Sequence, residues 1–383
     1  MAGAAIAVRS LRLTGFRNHA ATRLTLEPAP VVLTGANGAG KTNLLEAVSL
    51  LAPGRGLRNA RVTDPLPPKT ELWGLAAEID GPSGLVEVGT GLDPDSLAEK
   101  RRPRRQIRIE GERNCSQTDL AEHMVQVWLT PQQDGLFTGS ASSRRRWLDR
   151  VVFSFDPAHA GRVTRHDKLL RERAKLLKQG GADPHWLTSL EAQMAEAAVA
   201  IAAARLDIAS RLARACHRQS GPFPAASIAV SGFAEEAIAR GDSAVMVEDA
   251  LQGHLTDARP RDAAAGGALV GAHRADLLVH WLANDRPAEA CSTGEQKALL
   301  ISLTLATARL LAAETGYAPV ILLDEIAAHL DPDRRTALYD LLIATGAQFW
   351  LTGTEEALFQ HLLTEGTAQH IPLADGQPLS VAS

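Results

Sequence analysis

The first third of the chain consists of short apolar runs separated by turns, a pattern typical of β-sheet. Residues 7–13 and 23–26 alternate apolar and polar positions, whereas 31–34 are continuously apolar. Further runs of strand character span 71–78, 85–91, 106–110 and 125–129. Because these later runs follow one another as a meander, they predict a second, antiparallel sheet beside a core sheet.

The middle of the chain changes to helical periodicity. Val163, Leu170 and Leu177 recur every seven residues, and the Gly-Gly-Ala-Asp-Pro segment at 180–184 interrupts this helix. The next segment places apolar side chains at spacings of three and four, at Leu187, Leu190, Met194, Ala197, Ile201, Ala204, Ile208 and Leu212. Two helices joined by so short a loop predict an antiparallel hairpin arm at about 156–218, with this stripe as the core packing between them.

Short strands are expected beyond the arm, at 227–232 and within 268–281. The polar, Ala/Gly-rich segment 257–267 is expected to be a mobile loop.

Composition and charge narrow the class of protein. The 383 residues are 45% apolar and 22% charged, with a net charge of −4, so any nucleic-acid site must be a local basic patch. Cys115, Cys216 and Cys291 have no metal-type spacing and favour a reducing compartment. No secretory leader opens the chain, and the most apolar long stretch, 192–215, carries too many charges for a membrane span. A cytoplasmic protein with no membrane partner is predicted.

A phosphate-loop pattern, G-x-x-x-x-G-K-[ST], lies between the apolar run 31–34 and the helical stretch 43–51. Its glycines let consecutive N–H groups point at a phosphate, and the following helix start adds a positive dipole end. Lys41 is placed to contact the β- and γ-phosphates, and Thr42 offers a hydroxyl to Mg²⁺. The pattern predicts ATP binding by Gly35, Ala36, Asn37, Gly38, Ala39, Gly40, Lys41, Thr42 and Asn43.

A second nucleotide motif follows the apolar run 320–323, which ends in Asp324 and Glu325. In phosphate-loop proteins the first acid orients Mg²⁺ and the second polarises the attacking water, so Asp324 is assigned to the metal and Glu325, with Lys41, to catalysis. Roughly 280 positions separate the two motifs, enough for an inserted domain. The expected divisions are an N-terminal ATPase part at 1–135, a mainly helical lobe at 136–305 and a C-terminal ATPase part at 306–383.

The segment 291–296 precedes a helix predicted from Lys297 to about Ala313. Ser292 and Glu295 form a capping box, which explains the local sequence by itself. The same helix start also suits an anion site presented to the γ-phosphate of another subunit. This helix start lies some thirty residues before the acid pair, as an ABC-type signature motif does. Ser292, Thr293, Gly294 and Glu295 form the candidate signature, and Asp331, shortly after Glu325, is the candidate D-loop aspartate.

These motifs together resemble those of the RecF family, in the SMC-like branch of ABC ATPases. The similar blocks run nearly end to end: 11–19, 35–46, 54–58, 139–149, 271–277, 292–296, 324–331 and 352–354. The resemblance implies an α/β fold, an ABC/SMC-type P-loop ATPase head with a mixed core sheet, an antiparallel sheet and an inserted helical second lobe.

The same resemblance implies a function in recombinational gap repair. ATP and Mg²⁺ would drive a head-to-head homodimer on double-stranded or gapped DNA, and slow, DNA-dependent hydrolysis would release it. Each nucleotide would be held by one chain's phosphate loop and the other's signature serine. RecO- and RecR-type mediator proteins are the implied partners, in RecA loading and SOS induction.

Arginine clusters are the candidate DNA contacts. The strongest, at 100–105, is either a solvated hairpin tip or a contact with the DNA backbone. The full set is Arg55, Arg58, Arg101, Arg102, Arg104, Arg105, Arg144, Arg145 and Arg146. The polar turn 15–19 either folds over the nucleotide, through Arg17 and Asn18, or is a solvated hairpin.

The sequence departs from the transporter pattern in several places. Thr293 and Glu295 replace signature residues, and Thr352 and Thr354 follow the strand where transporters carry a switch histidine. Gln132, assigned to Mg²⁺, competes with its neighbour Gln133 for the Q-loop position. The alternatives are the ATPase subunit of another ABC system, an SMC-type tether, for which the arm is too short, and a nucleotide-gated scaffold without productive hydrolysis.

Overall fold

The structure is a computed structural model that describes residues 4–98, 102–113, 115–180, 183–218 and 221–379. The chain forms two compact units. The first comprises Met1–Asp134, Ser220–Phe223 and Leu300–Ser383, and the second comprises Gly135–Gln219 and Pro224–Leu299. The sequence predicted the two divisions at 135/136 and 305/306. In the structure they fall at 134/135 and 299/300, and the second lies inside a helix, Thr293–Thr315.

Strands predominate in the N-terminal part of the described chain and helices in its middle. The N-terminal part contains β1 (Ala4–Ala5), β2 (Ala7–Phe16), β3 (His19–Thr25), β4 (Val31–Thr34), α1 (Lys41–Ser49), β5 (Gly74–Gly81), β6 (Gly84–Leu92), α2 (Pro94–Ala98), β7 (Arg105–Ile109), β8 (Glu112–Arg113), α3 (Gln117–Ala121) and β9 (Gln126–Leu129). The middle contains α4 (Ala141–Phe155), α5 (His159–Gln179), α6 (Pro184–His217), β10 (Ala226–Ser231), α7 (Phe233–Ala239), α8 (Ala244–Asp257), α9 (Arg259–Ala265), β11 (Asp276–Trp281), β12 (Arg286–Pro287) and α10 (Thr293–Thr315). The C-terminal part contains β13 (Tyr317–Ala318), β14 (Val320–Leu323), α11 (Pro332–Ile343), β15 (Phe349–Gly353), α12 (Gln360–Thr364), β16 (Gln369–Ala374) and β17 (Gln377–Pro378).

A mostly parallel sheet with the order β17-β16-β4-β15-β14-β9 forms the centre of the first unit. The strands β16, β4, β15, β14 and β9 are mutually parallel, and β17 returns antiparallel to β16. Since the carboxyl ends of parallel strands lie at one edge, the segments after β4, β9, β14 and β15 meet there. This edge is where the nucleotide motifs converge.

The predicted antiparallel sheet is present, with the order β3-β2-β5-β6-β7-β8. Its core face packs with α1 in one cluster, which includes Leu44, Val48 and Val88. Phe16 and Trp73 add an edge-to-face pair with ring centroids 5.5 Å apart. The assignment of the run 125–129 to this sheet was wrong, because β9 pairs with β14 in the parallel sheet. All four of its residues are buried, as expected for a strand covered on both faces.

The helix α6 is the core element of the second unit. Its apolar stripe packs against α5, as predicted, but Leu190, Met194 and Ile201 also share a cluster with Leu251 and Leu255 of α8. The hairpin is therefore embedded in its lobe rather than a free-standing arm. The strands β10, β11 and β12 form a small antiparallel sheet in the same unit.

The segment predicted to be a mobile loop, 257–267, is instead ordered around α9. Asp262 of α9 is buried and accepts a hydrogen bond from Nη1 of buried Arg173 at 2.7 Å. The carboxylate of Glu191 binds the same Arg173 and also Arg259. Since a buried charge is tolerated only with such partners, this network fixes α9 against α5 and α6.

One helix of the described residues, α10, is long and apolar enough to cross a membrane by length and composition. Its most apolar 18-residue window has a mean hydropathy of 1.4, so the sequence expectation that 192–215 is the most apolar long stretch was wrong. Since 67% of that window is buried inside the protein, α10 is a core helix. The predicted lack of a membrane partner stays a prediction.

Burial makes α5 sensitive to acid. Desolvation lowers the pKa of His166 to about 4, with a contribution from His273, whose ring centroid lies 5.8 Å away. Well above pH 6.5 His166 is neutral in both the folded and unfolded states, so its protonation does not change the stability. As pH falls from about 6.5 to about 4, the unfolded state takes up the proton first and stability is lost.

We predict that His166→Gln reduces the acid sensitivity of unfolding. The loss attributable to His166 is about 2 kcal/mol at about pH 5, so the drop in thermal midpoint from about pH 7 to about pH 5 should be smaller in this variant. His185→Gln, at an exposed histidine on α6, is the matched control. Equal drops in the wild-type chain and in His166→Gln would contradict the assignment.

Candidate nucleotide site

The loop between β4 and α1 has the backbone of a phosphate cradle. Gly38 and Gly40 adopt φ of 85° and 103°, in the left-handed region that favours glycine, and α1 begins directly after them. Helix α1 therefore presents its first N–H groups toward the loop, where a phosphate would gain from the helix dipole.

The ammonium group of Lys41 lies inside this loop. Its Nζ donates to the carbonyl oxygens of Gly35 at 2.7 Å and Ala36 at 3.0 Å. Burial lowers the pKa of Lys41, and the nearby Glu325 and Asp324 carboxylates oppose that shift. The lysine is thus held within a negative environment, at the place where a phosphate group would be received.

The Asp324 carboxylate connects three segments at the carboxyl edge of the parallel sheet. It accepts hydrogen bonds from the Thr42 hydroxyl at 2.9 and 3.1 Å and from the Thr352 hydroxyl at 2.7 Å. Asp324 and Thr352 are buried, and the backbone N–H of Asp324 donates to Leu129 at the end of β9. The structure therefore brings together the two predicted nucleotide motifs and adds Thr352.

Glu325 has a strained backbone next to this network. Its φ is 53°, which is uncommon for a residue with a side chain and costs of order 1–3 kcal/mol. The hydroxyl of Thr352 accepts a hydrogen bond from the N–H of Glu325 at 2.8 Å. One threonine therefore orients both acids, since it donates to Asp324 and accepts from Glu325.

The turn between β2 and β3 lies against the phosphate loop. Asn18 donates to the Gly38 carbonyl at 3.2 Å and accepts from the Asn43 side chain at 2.7 Å. His19 Nε2 lies 3.1 Å from the Gly40 carbonyl oxygen, and a Cβ on Gly40 would lie only 2.8 Å from that nitrogen. The close approach explains why residue 40 is glycine. Asn18 is exposed beside the loop, and its predicted contact with the nucleotide stays a prediction.

A second turn, near the C-terminal end of the described chain, also supports the phosphate loop. Burial lowers the pKa of His19, whose Nδ1 lies 3.1 Å from the Thr22 hydroxyl. Thr22 donates to the carbonyl of Gly376, and the N–H of Gly376 donates to the carbonyl of Ala39 at 3.0 Å. The phosphate loop is therefore supported on both sides by backbone and side-chain hydrogen bonds.

Arg17 does not point to the nucleotide loop in this structure. Its guanidinium forms a bidentate pair with the buried Glu46 carboxylate of α1, at 2.7 and 3.0 Å. Arg58 donates to the same carboxylate at 3.0 Å. Both arginines thus neutralise Glu46 and brace α1, which gives no support to their predicted roles in nucleotide and DNA contact.

Hard oxygen donors suited to Mg²⁺ are present beside the loop. The Thr42 hydroxyl and Asp324 carboxylate already meet within 2.9 Å, so a metal at this point would find two ligand groups of the preferred type. Gln133 accepts from the Thr130 N–H as part of a helix cap, whereas Gln132 is exposed in the same short helical turn, Pro131–Gln133, after β9. Gln132 is thus the freer candidate of the two. Among the described residues, no group of three or more His, Cys, Asp or Glu could hold a metal.

The signature and D-loop residues occupy helix N-termini. The N–H and hydroxyl of Ser292 both donate to Glu295 at 2.7 and 2.9 Å, which confirms the capping box. Ser292, Thr293 and Gly294 are exposed. Asp331 caps α11 by accepting from the Arg334 N–H at 2.8 Å. The predicted contacts of these residues with a second subunit stay a prediction.

The arginine candidates separate into committed and exposed groups. Arg105 is partly buried and donates to Leu50, Gly54 and Thr90, and desolvation lowers its pKa to about 10. Its predicted DNA contact receives no support, because all arms of its guanidinium already have partners within the first unit.

Arg144 and Arg145 are also committed, in the second unit. Arg144 makes a bidentate pair with Asp276 at 2.6 and 2.7 Å, and Arg145 donates to the Ala275 carbonyl. Their predicted DNA contacts likewise receive no support. The candidates that remain exposed are Arg55, Arg102, Arg104 and Arg146, whereas Arg101 lies outside the described residues.

Comparisons with known proteins identify the family of the chain. Residues 7–367 match the family profile of the RecF/RecN/SMC N-terminal domain. The chain is similar to the DNA replication and repair protein RecF of Rhizobium etli, with 47% identity over 379 residues, 97% of this chain and 98% of that protein. RecF of Agrobacterium fabrum is 48% identical over 361 residues, 93% of this chain and 94% of that protein.

Solved structures show the same fold. The recombination mediator protein RecF with ATPrS, in the RecFOR pathway, matches with a TM-score of 0.86 at 21% identity and covers 100% of both chains. An SMC head bound to the C-winged helix domain of ScpA matches with a TM-score of 0.50 at 15% identity and covers 98% of both chains. The predicted ABC/SMC-type head fold is thereby confirmed.

Thr352 yields a test of the site. We predict that Thr352→Val, which keeps the shape but removes the hydroxyl, leaves the Glu325 N–H unpaired and costs about 1–3 kcal/mol of folding free energy. Nucleoside triphosphate hydrolysis should fall roughly tenfold or more, since each 1.4 kcal/mol lost from the transition state is a factor of about ten. Thr354→Val, at an exposed threonine, is the control. Hydrolysis and denaturant stability equal to wild type would remove Thr352 from the site.

Proposed function

Because this chain belongs to the RecF family of DNA replication and repair proteins, we propose that it is an ATP-driven DNA clamp of recombinational gap repair. The observation that carries this proposal is the hydrogen-bonded assembly of Thr42, Asp324, Thr352 and Glu325 beside the phosphate loop. Such an assembly joins nucleotide binding to a positioned acid, which is what a hydrolytic switch requires.

In the proposed binding step, the loop N–H groups and the Lys41 ammonium receive the β- and γ-phosphates of ATP. Lys41 exchanges its present bonds with the Gly35 and Ala36 carbonyls for phosphate oxygens, which are stronger, charged acceptors. Asn18 and Asn43 hold the loop from the side. The small rearrangement needed favours tight binding, since the cradle is already formed.

In the proposed hydrolytic step, Glu325 accepts a proton from the attacking water as general base. Mg²⁺, held by Thr42 and Asp324 with Gln132 as a further candidate, supplies charge neutralisation at the phosphates when bound. Thr352 holds the two acids at fixed positions, so that Glu325 can act on water while Asp324 serves the metal. The departures from the transporter pattern at Thr293, Glu295 and Thr352 favour slow turnover, so we expect weak ATPase activity.

In the proposed dimer, the exposed signature residues of one chain complete the nucleotide site of the other. Ser292, Thr293 and Gly294 present a helix N-terminus, which attracts the γ-phosphate through N–H groups and the helix dipole. Asp331 lies across the same interface as the D-loop residue. ATP thus holds two chains together, and hydrolysis releases them.

The proposed ligand of the dimer is double-stranded or gapped DNA. With a net charge of −4, the chain needs local cation patches to bind phosphates, and Arg55, Arg102, Arg104 and Arg146 are the exposed members of the predicted set. We infer a cytoplasmic location and RecR- and RecO-type partners in RecA loading and SOS induction. The solved RecF relatives support this context, since they are described as recombination mediators of the RecFOR pathway.

The first test uses Glu325→Gln, which removes the base and keeps the side-chain size. We predict an ATP-bound dimer in light scattering with Mg-ATP, a monomer without it, and hydrolysis slowed by roughly two orders of magnitude or more. A gapped duplex should be retained by the dimer. Glu355→Gln, at an exposed glutamate, is the control. Unchanged turnover would exclude Glu325 as the base, and an ATP-bound monomer indifferent to DNA would exclude the clamp.

The second test concerns the signature. Ser292→Arg places a bulky cation at the exposed helix start, so it should abolish the ATP-dependent dimer while the monomer binds ATP with unchanged affinity. Ser292→Ala is the companion variant, since it removes the capping hydroxyl at a cost of about 1 kcal/mol without adding bulk. Dimerisation of Ser292→Arg at the wild-type ATP concentration would reduce Ser292 to a helix cap.

A further inference from the structure

Helix α5 carries an unusual excess of positive charge on its solvent face. Its 21 residues include seven Lys or Arg and two Asp or Glu, in a chain whose net charge is −4. Five of these cations are exposed and recur at spacings of three and four residues; this basic stripe consists of Arg165, Lys168, Arg171, Lys175 and Lys178. Residues at such spacings share one side of a helix.

The opposite side of α5 is a core face. Leu169 packs in the apolar cluster with α6 and α8, and His166 and Arg173 are buried. Because this side of α5 is buried in the core, the basic stripe on the opposite side faces solvent.

Most cations of the stripe are free of acidic partners. Within the described residues, only Arg165 forms an ion pair, with Glu196 at 3.4 Å, and both side chains are largely exposed. Asp167 and Glu172 of the same helix stand four positions from Arg171 and Lys168 but form no ion pair with them in the described part of the chain. Lys168, Arg171 and Lys175 have no ion pair there, although Arg171 Nε donates to the Asp167 carbonyl. Lys178 has a structural reason for its position, since a cation in the last turn favours the helix dipole.

The neighbouring helix α6 does not share this pattern. The exposed face of α6 mixes acidic and basic side chains, with Glu196, Asp207 and Arg214 among polar and small residues. Solvated helix faces ordinarily intersperse both signs, because a single-sign row repels itself. A row of cations that are mostly without ion pairs, on a chain of net negative charge, suits a polyanionic ligand.

We propose that the basic stripe of α5 contacts the phosphate backbone of duplex DNA. The stripe spans about 20 Å at about 1.5 Å per residue, a length that covers roughly six phosphates of one strand at about 3.4 Å each. The phosphates of a duplex are regularly spaced, so a regular row of flexible cations can pair with several of them at once. The carboxylates of an acidic protein surface have no such regular spacing. This inference rests on the proposed DNA-binding function and adds a contact surface that the arginine motifs of the sequence did not indicate.

The test is the salt dependence of DNA affinity for the full chain with Mg-ATP. The variant Lys168→Gln/Arg171→Gln/Lys175→Gln should bind a fluorescent duplex of about 30 base pairs roughly tenfold or more weakly at about 0.1 M salt. The slope of log K against log salt should fall by up to about 3, since each phosphate contact contributes about 0.9. Glutamine keeps helix propensity, and circular dichroism verifies the fold.

Two further variants make the result specific. Arg214→Gln/Arg218→Gln/Arg240→Gln removes three exposed cations of the second unit outside α5, and it should keep the wild-type affinity and slope. Lys168→Arg/Lys175→Arg keeps the charge and should also bind as wild type. ATP affinity should be unchanged in all variants.

The outcomes separate this inference from the proposed function. If the wild-type chain binds duplex DNA with a steep salt slope and the α5 variant binds identically, the α5 contact is overturned and the clamp stands. If the wild-type chain binds no DNA, both are overturned. An equal loss in the Arg214/Arg218/Arg240 control would show a general charge effect and would also overturn the assignment to α5.

Discussion

The carboxylate of Asp324 is the point on which the nucleotide site depends. It lies just after β14 and accepts hydrogen bonds from hydroxyl groups of α1 and of β15, so one acid ties the phosphate-loop helix to two strands of the parallel sheet. The arrangement requires that β14 and β15 be neighbours and that β4 lie beside β15. The order of the strands is therefore as necessary to the chemistry as the acid itself.

The second constraint is the buried charge of Glu46. A carboxylate with no exposed surface on the phosphate-loop helix is stable only because two arginines approach it from different loops. Arg17 arrives from the β2–β3 turn and Arg58 from the segment after α1. The cost of burying Glu46 thus enforces the packing of both segments on α1. The phosphate loop is therefore held through its helix as well as by the turns that contact it directly.

The sequence was a good guide where a motif is local and a poor one where the partner is remote. The phosphate loop, the acid pair, the capping box at Ser292 and the two helices of the hairpin follow from residues within a few positions of each other. The role of Thr352 depends on strand adjacency, which spacing along the chain does not encode; its only signal was its place after an apolar strand. The run 125–129 was assigned to the wrong sheet because a buried strand has the same local pattern in either sheet. The helix α9 was missed because its ordering comes from Arg173, 89 positions away from Asp262.

The hydrogen bonds that hold the phosphate loop to the turn at Gly376 have a consequence for how the protein is made. Thr22 and Gly376 are in direct contact but 354 positions apart, and the turn at Gly376 also binds Ala39 within the loop. While a ribosome is still translating the chain, the loop exists but the turn that supports it has not yet emerged. The nucleotide cradle in its final form is thus a late product of synthesis, and a nascent or prematurely terminated chain carries the phosphate-loop sequence without the support that shapes it.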